Sequence, residues 1–338
     1  MIGPPANKSN TSIGVRIAGT GIGVPARTVS NDELAKTVDT TDEWIAQRTG
    51  IRTRHLAQDG ETARTLATAA LAQALDHAGI PAGELDMVIS GTVTPEMCTP
   101  SDAVRIVADV GAKPAGAVDI SAACSGFVYG LNMGSALIQT GMYRNVGVIG
   151  AETLSKLTNW DDRTTCILFG DGAGAAVLAA TGNADQGCLY QRMSSDGAMW
   201  ASLYCPRDQT NLPVDSTGFT GKFNTLQMNG REVFKFAVVM LQRAIDDALN
   251  ACDVKADDLA MVIPHQSNIR MIESARQRLG LPEDRIYVNI DRYGNTSAAS
   301  VAICLHELVE QKRLHEGDLV LFVAIGGGMT WATSLWRL

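Results

Sequence analysis

Short apolar runs alternate along the chain with longer stretches of helical period, the pattern of mostly parallel sheets covered by helices. The pattern also repeats. Residues 75–89 (LDHAGIPAGELDMVI) and 249–263 (LNACDVKADDLAMVI) each read as the end of a helix, a turn and a short buried strand. A second pair, VDISAAC ending at Cys124 and NIDRYGN ending at Asn295, leads in both cases into an alanine- and glycine-rich helix. An apolar run then follows, at 146–149 or 319–325. The step from Leu75 to Leu249 is almost the same length as the step from Cys124 to Asn295. Two matches in order at nearly equal spacing predict two homologous α/β halves, residues 13–182 and 183–338, after a loose polar tail at 1–12. Two ordinary helix–strand units are the plainer alternative. Pairing the halves gives α/β/α/β/α layers and brings Cys124 and Asn295 to corresponding helix starts near the junction.

The stretch 120–143 carries no charge and is long enough to span a bilayer. Its Ser121, Cys124, Ser125, Asn132, Gln139 and four glycines suit lipid poorly, so it reads as a buried helix. Gly126, Gly130 and Gly134 recur every four residues and would let another backbone approach one face. Residues 1–12 lack the apolar region of a signal peptide. A chain of 338 residues, 46% hydrophobic and 19% charged, fits a compact protein that needs no membrane. The net charge of −8, from 28 basic and 36 acidic side chains, lacks the footprint of a nucleic-acid binder, and an acidic partner would need a local basic patch. Seven cysteines without C-x-x-C spacing argue against a disulfide framework or zinc ribbon and for a reducing, cytoplasmic setting.

Three residue types then carry candidate chemistry. Cys124 lies at a predicted helix start, where unpaired N–H groups and the helix dipole favour a thiolate. His265 is the one histidine of five that directly follows a buried strand, the strand end at which α/β proteins place their sites. His306 and His315 fall on or after a charged helix and are expected to be solvated. No H-E-x-x-H or paired cysteines occur, which excludes a metal from the expected site. Glycine-rich turns at 19–23, 170–174 and 326–328 complete neither G-x-G-x-x-G nor a P-loop. The last of them is placed to aim N–H groups at an oxyanion. The order Cys, His, Asn also describes papain-like proteases, but no C-G-S-C-W-like context accompanies Cys124 and the duplication would go unexplained.

Cys124 in AACSGF, His265 in PHQSNIR and Asn295 in YGNTSAAS resemble the three signatures of β-ketoacyl-acyl-carrier-protein synthase III, a thiolase-fold initiating condensing enzyme. TDEWIAQRTGIR (41–52), FGDGAGAAVL (169–178) and GGGMTW (326–331) extend the resemblance from about Val15 to Leu338. The resemblance implies a catalytic triad of Cys124, His265 and Asn295, with oxyanion N–H groups at Cys124 and Gly327. It also implies coenzyme A contacts at Trp44, Arg48, Arg163, Gly230, Phe234 and Asn268. Acyl-coenzyme A and malonyl-acyl-carrier protein are then the substrates, with no separate cofactor. Lys235, Arg270, Arg276 and Arg278 form a candidate docking patch for the acidic carrier. The family is homodimeric, each acyl pocket being completed by its neighbour. Thr99 stands before Pro100 where many relatives carry a bulky aromatic gate, so primers longer than acetyl are expected. An acyltransferase paralogue is the main alternative, ahead of a type III polyketide synthase, an elongating synthase or a non-catalytic acyl-binding subunit.

Overall fold

The computed structural model describes residues 13–214 and 219–338; the expected tail at 1–12 lies outside them. In chain order the elements that build the site are β1 (Gly14–Gly23), α1 (Asp42–Thr49), α2 (Ala63–Ala78), β2 (Met87–Gly91), α3 (Asp102–Asp109), β3 (Gly116–Ile120), α4 (Gly126–Gln139), β4 (Asn145–Thr153) and β5 (Asp171–Thr181). There follow β6 (Gly187–Ser195), α5 (Gly230–Cys252), β7 (Leu259–Pro264), α6 (Ile269–Leu279), α7 (Ala299–Glu310), β8 (Leu319–Gly326) and β9 (Thr330–Arg337).

The first sheet runs β1-β5-β4-β2-β3 and the second β7-β8-β9-β6. Their connectivity matches strand for strand. β2 pairs parallel with β4, then β4 antiparallel with β5 and β5 with β1; β7 pairs parallel with β8, then β8 antiparallel with β9 and β9 with β6. Even the counterpart of β3 is present, as a parallel bridge from Val262 to Ile286. The helices preceding β2 and β7 also end alike, in left-handed caps at Gly79 (φ 64°) and Asp253 (φ 54°), in register with the sequence repeat. Glycine takes that conformation freely and aspartate is among the few others that tolerate it.

Burial sorts the helices into layers. α2 and α3 cover the outer face of the first sheet, and α5 and α6 that of the second. α4 and α7 lie between the sheets, with Phe127, Leu131, Val301 and Leu305 buried beside strand residues of both. α4 can sit so close to β2 because Gly91 faces Gly126: a Cβ on Gly91 would stand 2.6 Å from the Gly126 carbonyl carbon.

Two expectations are corrected here. The apolar stretch 120–143 is not one helix; Ile120 ends strand β3, which pairs with β2, and the helix proper begins at Gly126. Its glycines also do different jobs, since Gly130 and Gly134 face the side chains of Val148 and Leu178 rather than another backbone. His306 is buried, not solvated, because α7 is a central helix; its Nδ1 lies 3.0 Å from Thr20 Oγ1. His315 is exposed, as expected. Among the described residues no helix is long and apolar enough to cross a membrane.

Candidate active site

Cys124 occupies a tight turn, Ala123–Ser125, between β3 and α4. Ala123 has φ 45°, a left-handed conformation that is costly for a residue with a Cβ and is held only when surrounding structure imposes it. Here Ser125 Oγ and Thr330 Oγ1 both donate to the Ala122 carbonyl, at 2.7 and 2.8 Å. A Cβ on Gly326 would stand 2.7 Å from the Cys124 nitrogen, so the β8–β9 turn closes on the same point.

The expected thiolate is corrected. Burial pushes the Cys124 thiol up to about 11, outweighing the neighbouring Ser297 hydroxyl, which pulls it down, and the nearby Glu152 pushes the same way as burial. The turn sits at the junction of two sheets, so desolvation dominates over the partial charge of a helix start.

His265 follows β7 as predicted and is anchored by its N–H to the Val323 carbonyl at 2.8 Å. Burial lowers its pKa to about 3, so the imidazole is neutral. Its Nδ1 lies 2.7 Å from Ser300 Oγ, which also accepts the Gln266 N–H at 3.3 Å. The serine proton is satisfied by donating to Nδ1, which puts the imidazole proton on Nε2. Asn295 is gripped by the other half of the chain: its N–H donates to the Leu168 carbonyl and its own carbonyl accepts from Gly170, at 2.9 and 3.0 Å. Its Oδ1 accepts the Ser297 N–H at 2.9 Å, leaving the Nδ2 donors for the pocket. A neutral imidazole N–H and an amide NH₂ are hydrogen-bond donors, suited to an oxyanion and unsuited to taking a proton.

Cys124, His265 and Asn295 line one pocket of about 310 Å³, together with Gly327. Trp44, Arg48, Gly230, Phe234 and Asn268 line the same pocket. Arg48 and Arg163 place their guanidinium carbons 4.2 and 5.0 Å from the Trp44 ring centre. Arg163 lies beside the pocket rather than in its wall and donates to the Asp39 carbonyl at 2.7 Å. Asn268 caps α6 and also donates to the Arg48 carbonyl at 2.9 Å, tying α6 to α1.

A second cavity of about 1,090 Å³ opens on the far side of Cys124 and Gly327, lined also by Met97, Cys98 and Ser297. Thr99 is exposed and lines neither cavity. The four docking candidates do not form one free patch. Arg276 is bound to Glu273 at 2.6 Å, Arg278 to Asp246 at 2.8 Å, and Arg270 donates twice to the Gln47 carbonyl. Lys235 is exposed beside Phe234. Among the described residues one cluster has metal-ligand chemistry, His77, His306 and Glu310, and it lies outside both cavities.

Three polar residues of the site escaped the sequence: Ser297, Ser300 and Glu152. The first two stand within the YGNTSAAS signature, where nothing in the residue types assigns them a partner. Glu152 did carry a signal, as the lone acid closing an apolar run at 146–153.

Comparison with known proteins gives the family. Family models described as 3-oxoacyl-[acyl-carrier-protein (ACP)] synthase III and its C terminal match residues 118–197 and 249–338. The β-ketoacyl-[acyl-carrier-protein] synthase III of Caldanaerobacter subterraneus is 47% identical, the alignment covering 96% of this chain and 97% of that one. That of Granulibacter bethesdensis is 46% identical, over 95% and 98%. The crystal structure of 3-oxoacyl-[acyl-carrier-protein] synthase III from Aquifex aeolicus superposes with a TM-score of 0.89 at 41% identity, covering 96% of this chain and all of the other. At these identities, over nearly the whole length, the chain belongs to the β-ketoacyl-acyl-carrier-protein synthase III family of thiolase-fold condensing enzymes.

Proposed function

We propose that the enzyme condenses an acyl-coenzyme A primer with malonyl-acyl-carrier protein, giving 3-oxoacyl-carrier protein, CO₂ and coenzyme A, the initiating step of fatty-acid synthesis. The observation that carries this reading is the single pocket that holds Cys124, His265 and Asn295 together with Trp44, Arg48 and Asn268. Cys124 attacks the primer thioester and keeps the acyl group, dividing the reaction in two. Malonyl-carrier thioester then enters by the same pocket. His265 Nε2–H and Asn295 Nδ2–H donate to its carbonyl oxygen, stabilising the enolate left when CO₂ departs. The enolate carbon attacks the acyl-cysteine, the oxyanion is held by N–H groups at Cys124 and Gly327, and the C–S bond breaks. Each step balances with these side chains and the two substrates, so no further cofactor is assigned.

Coenzyme A adenine fits between Trp44 and Arg163, with Arg48 toward the phosphates and Gly230, Phe234 and Asn268 along the pantetheine. Lys235 and Arg270, at the rim, are the strongest of the four docking candidates for an acidic carrier, since Arg276 and Arg278 are already paired. A cytoplasmic homodimer completes the reading. β3 is an edge strand, and such an edge is commonly covered by pairing with a second copy. The larger cavity, with Thr99 exposed nearby, would then be closed by the neighbouring subunit. A panel of acyl-coenzyme A primers assayed with malonyl-acyl-carrier protein tests the proposal. Formation of 3-oxoacyl-carrier protein is expected; acyl transfer to another acceptor without CO₂ release would replace it with a plain acyltransferase.

A further inference from the structure

Acylation requires Cys124 to lose a proton, yet burial holds the thiol high and holds His265 neutral with little basicity. Among the groups the reaction above does not use, one buried acid lies beside the nucleophile. Glu152, at the end of β4, is fully buried and has no cationic partner among the described residues. Its carboxylate accepts from Thr94 Oγ1 at 2.7 Å, Val93 N–H at 3.1 Å, Thr92 Oγ1 at 3.4 Å and Ser297 Oγ at 3.1 Å. Ser297 and Cys124 line the larger cavity together. Having donated its own proton to Glu152, the Ser297 hydroxyl is free to accept the thiol's. Ser297 is also held at φ 49°, a strained conformation for serine and one that clusters at functional sites.

We propose that Glu152 is the proton acceptor for acylation of Cys124, working through the Ser297 hydroxyl. The proposal rests on the condensing-enzyme reading above. As the sulfur lone pair attacks the primer carbonyl, the Sγ proton passes to Ser297 Oγ and the Ser297 proton passes to Glu152 Oε1. The tetrahedral intermediate then expels coenzyme A, whose sulfur takes a proton as the relay runs backwards and Glu152 is left ionised. Negative charge therefore moves from the carboxylate to the carbonyl oxygen of the primer and returns to Glu152 as coenzyme A leaves protonated. Burial raises Glu152 to about 7, against the opposing pull of its hydrogen bonds, which is the range an effective base needs near neutral pH. The titratable group facing it is the Cys124 thiol; the loop after β2 and the loop before α7 present hydroxyl and N–H groups.

The test is single-turnover acylation of Cys124 by acetyl- and octanoyl-coenzyme A, followed by intact mass from pH 5.5 to 9. Wild type, Glu152→Gln, Glu152→Asp and Ser297→Ala are compared. The wild-type rate should rise with pH through a break near 7. Glu152→Gln and Ser297→Ala should lose the break and fall by roughly 10²-fold or more at pH 7.5, and Glu152→Asp should restore the break. An unaltered break in a folded Glu152→Gln, or in Ser297→Ala if Glu152→Gln does not fold, overturns the relay. Absence of any adduct in wild type would instead sink the condensing-enzyme reading itself.

Discussion

Cys124 and Asn295 stand at the same place in two copies of one topology, each in the loop that enters a central helix. Their surroundings diverge. Near the cysteine the first half supplies a buried acid, Glu152, which accepts from the hydroxyl of Ser297 in the second half. Beside the asparagine the second half supplies His265, kept neutral by burial and turned by Ser300 to present Nε2–H. On the reading proposed above, the first copy supplies the nucleophile and its proton acceptor, with Ser297 of the second copy between them, and His265 and Asn295 of the second copy supply donors to developing negative charge. Duplication fixes where the loops arrive, while a few polar side chains behind them decide what each loop does.

The largest expected effect breaks the first half alone. Cys124→Ala should lower condensation by roughly 10⁴-fold or more and abolish the acyl adduct, because a nucleophile has no substitute in the pocket. Binding of coenzyme A should persist, which isothermal titration would register.

Next, the buried ionisable groups of the two halves respond to pH with opposite signs. The folded protein holds the Glu152 proton more tightly than the unfolded chain does. Its contribution is therefore full below about 4.5 and lost as pH rises through about 7. His265 is depressed, so its contribution is present above about 6.5 and lost as pH falls toward 3. Relative to wild type, Glu152→Gln should gain stability on going from pH 5 to pH 8, by on the order of 3 kcal/mol. Chemical denaturation at the two pH values measures this. A constant difference would mean that Glu152 does not titrate in the fold.

A smaller change should sharpen the contrast from the other side. Ser300→Ala frees the His265 ring from its 2.7 Å partner. The loss of a hydrogen bond worth about 1 kcal/mol predicts a roughly fivefold drop in condensation with acyl transfer unchanged. Equal loss in both steps would place Ser300 outside the division described here.

The smallest expected effect concerns the primer. Met97 and Cys98 line the larger cavity, whereas Thr99 is exposed. Thr99→Phe should reduce kcat/KM for octanoyl relative to acetyl primers several-fold, each lost methylene contact contributing about 0.8 kcal/mol. No change in that ratio would show that the cavity ends elsewhere.

Much of this was legible in the chain. The repeat at 75–89 and 249–263 foretold matching strands because hydrophobic period and turn placement are local properties, and the left-handed caps at Gly79 and Asp253 fall at the same offset. Cys124 and His265 stood out because each follows an apolar run, and Asn295 because the duplication sets it opposite Cys124; the structure brings the three to one pocket. The ionisation of Cys124 was not. A helix start favours a thiolate in isolation, and only the assembled sheets reveal that desolvation wins. For the same reason His306 read as a surface residue, since nothing in its charged neighbourhood shows that α7 is central. The ion-pair partners of the docking arginines were not read from the sequence: Glu273 meets Arg276 and Asp246 meets Arg278 only once α5 and α6 are formed.

The central claim is that Cys124 and the His265–Asn295 pair serve separate half-reactions, and Asn295→Ala tests it most directly. Acyl transfer from acetyl-coenzyme A to Cys124, read by intact mass, is compared with CO₂ release from malonyl-acyl-carrier protein in the same preparation. Acylation should stay within a few-fold of wild type while decarboxylative condensation falls by roughly 10²-fold or more, the scale of a lost oxyanion donor. Equal loss of both would contradict the division of labour.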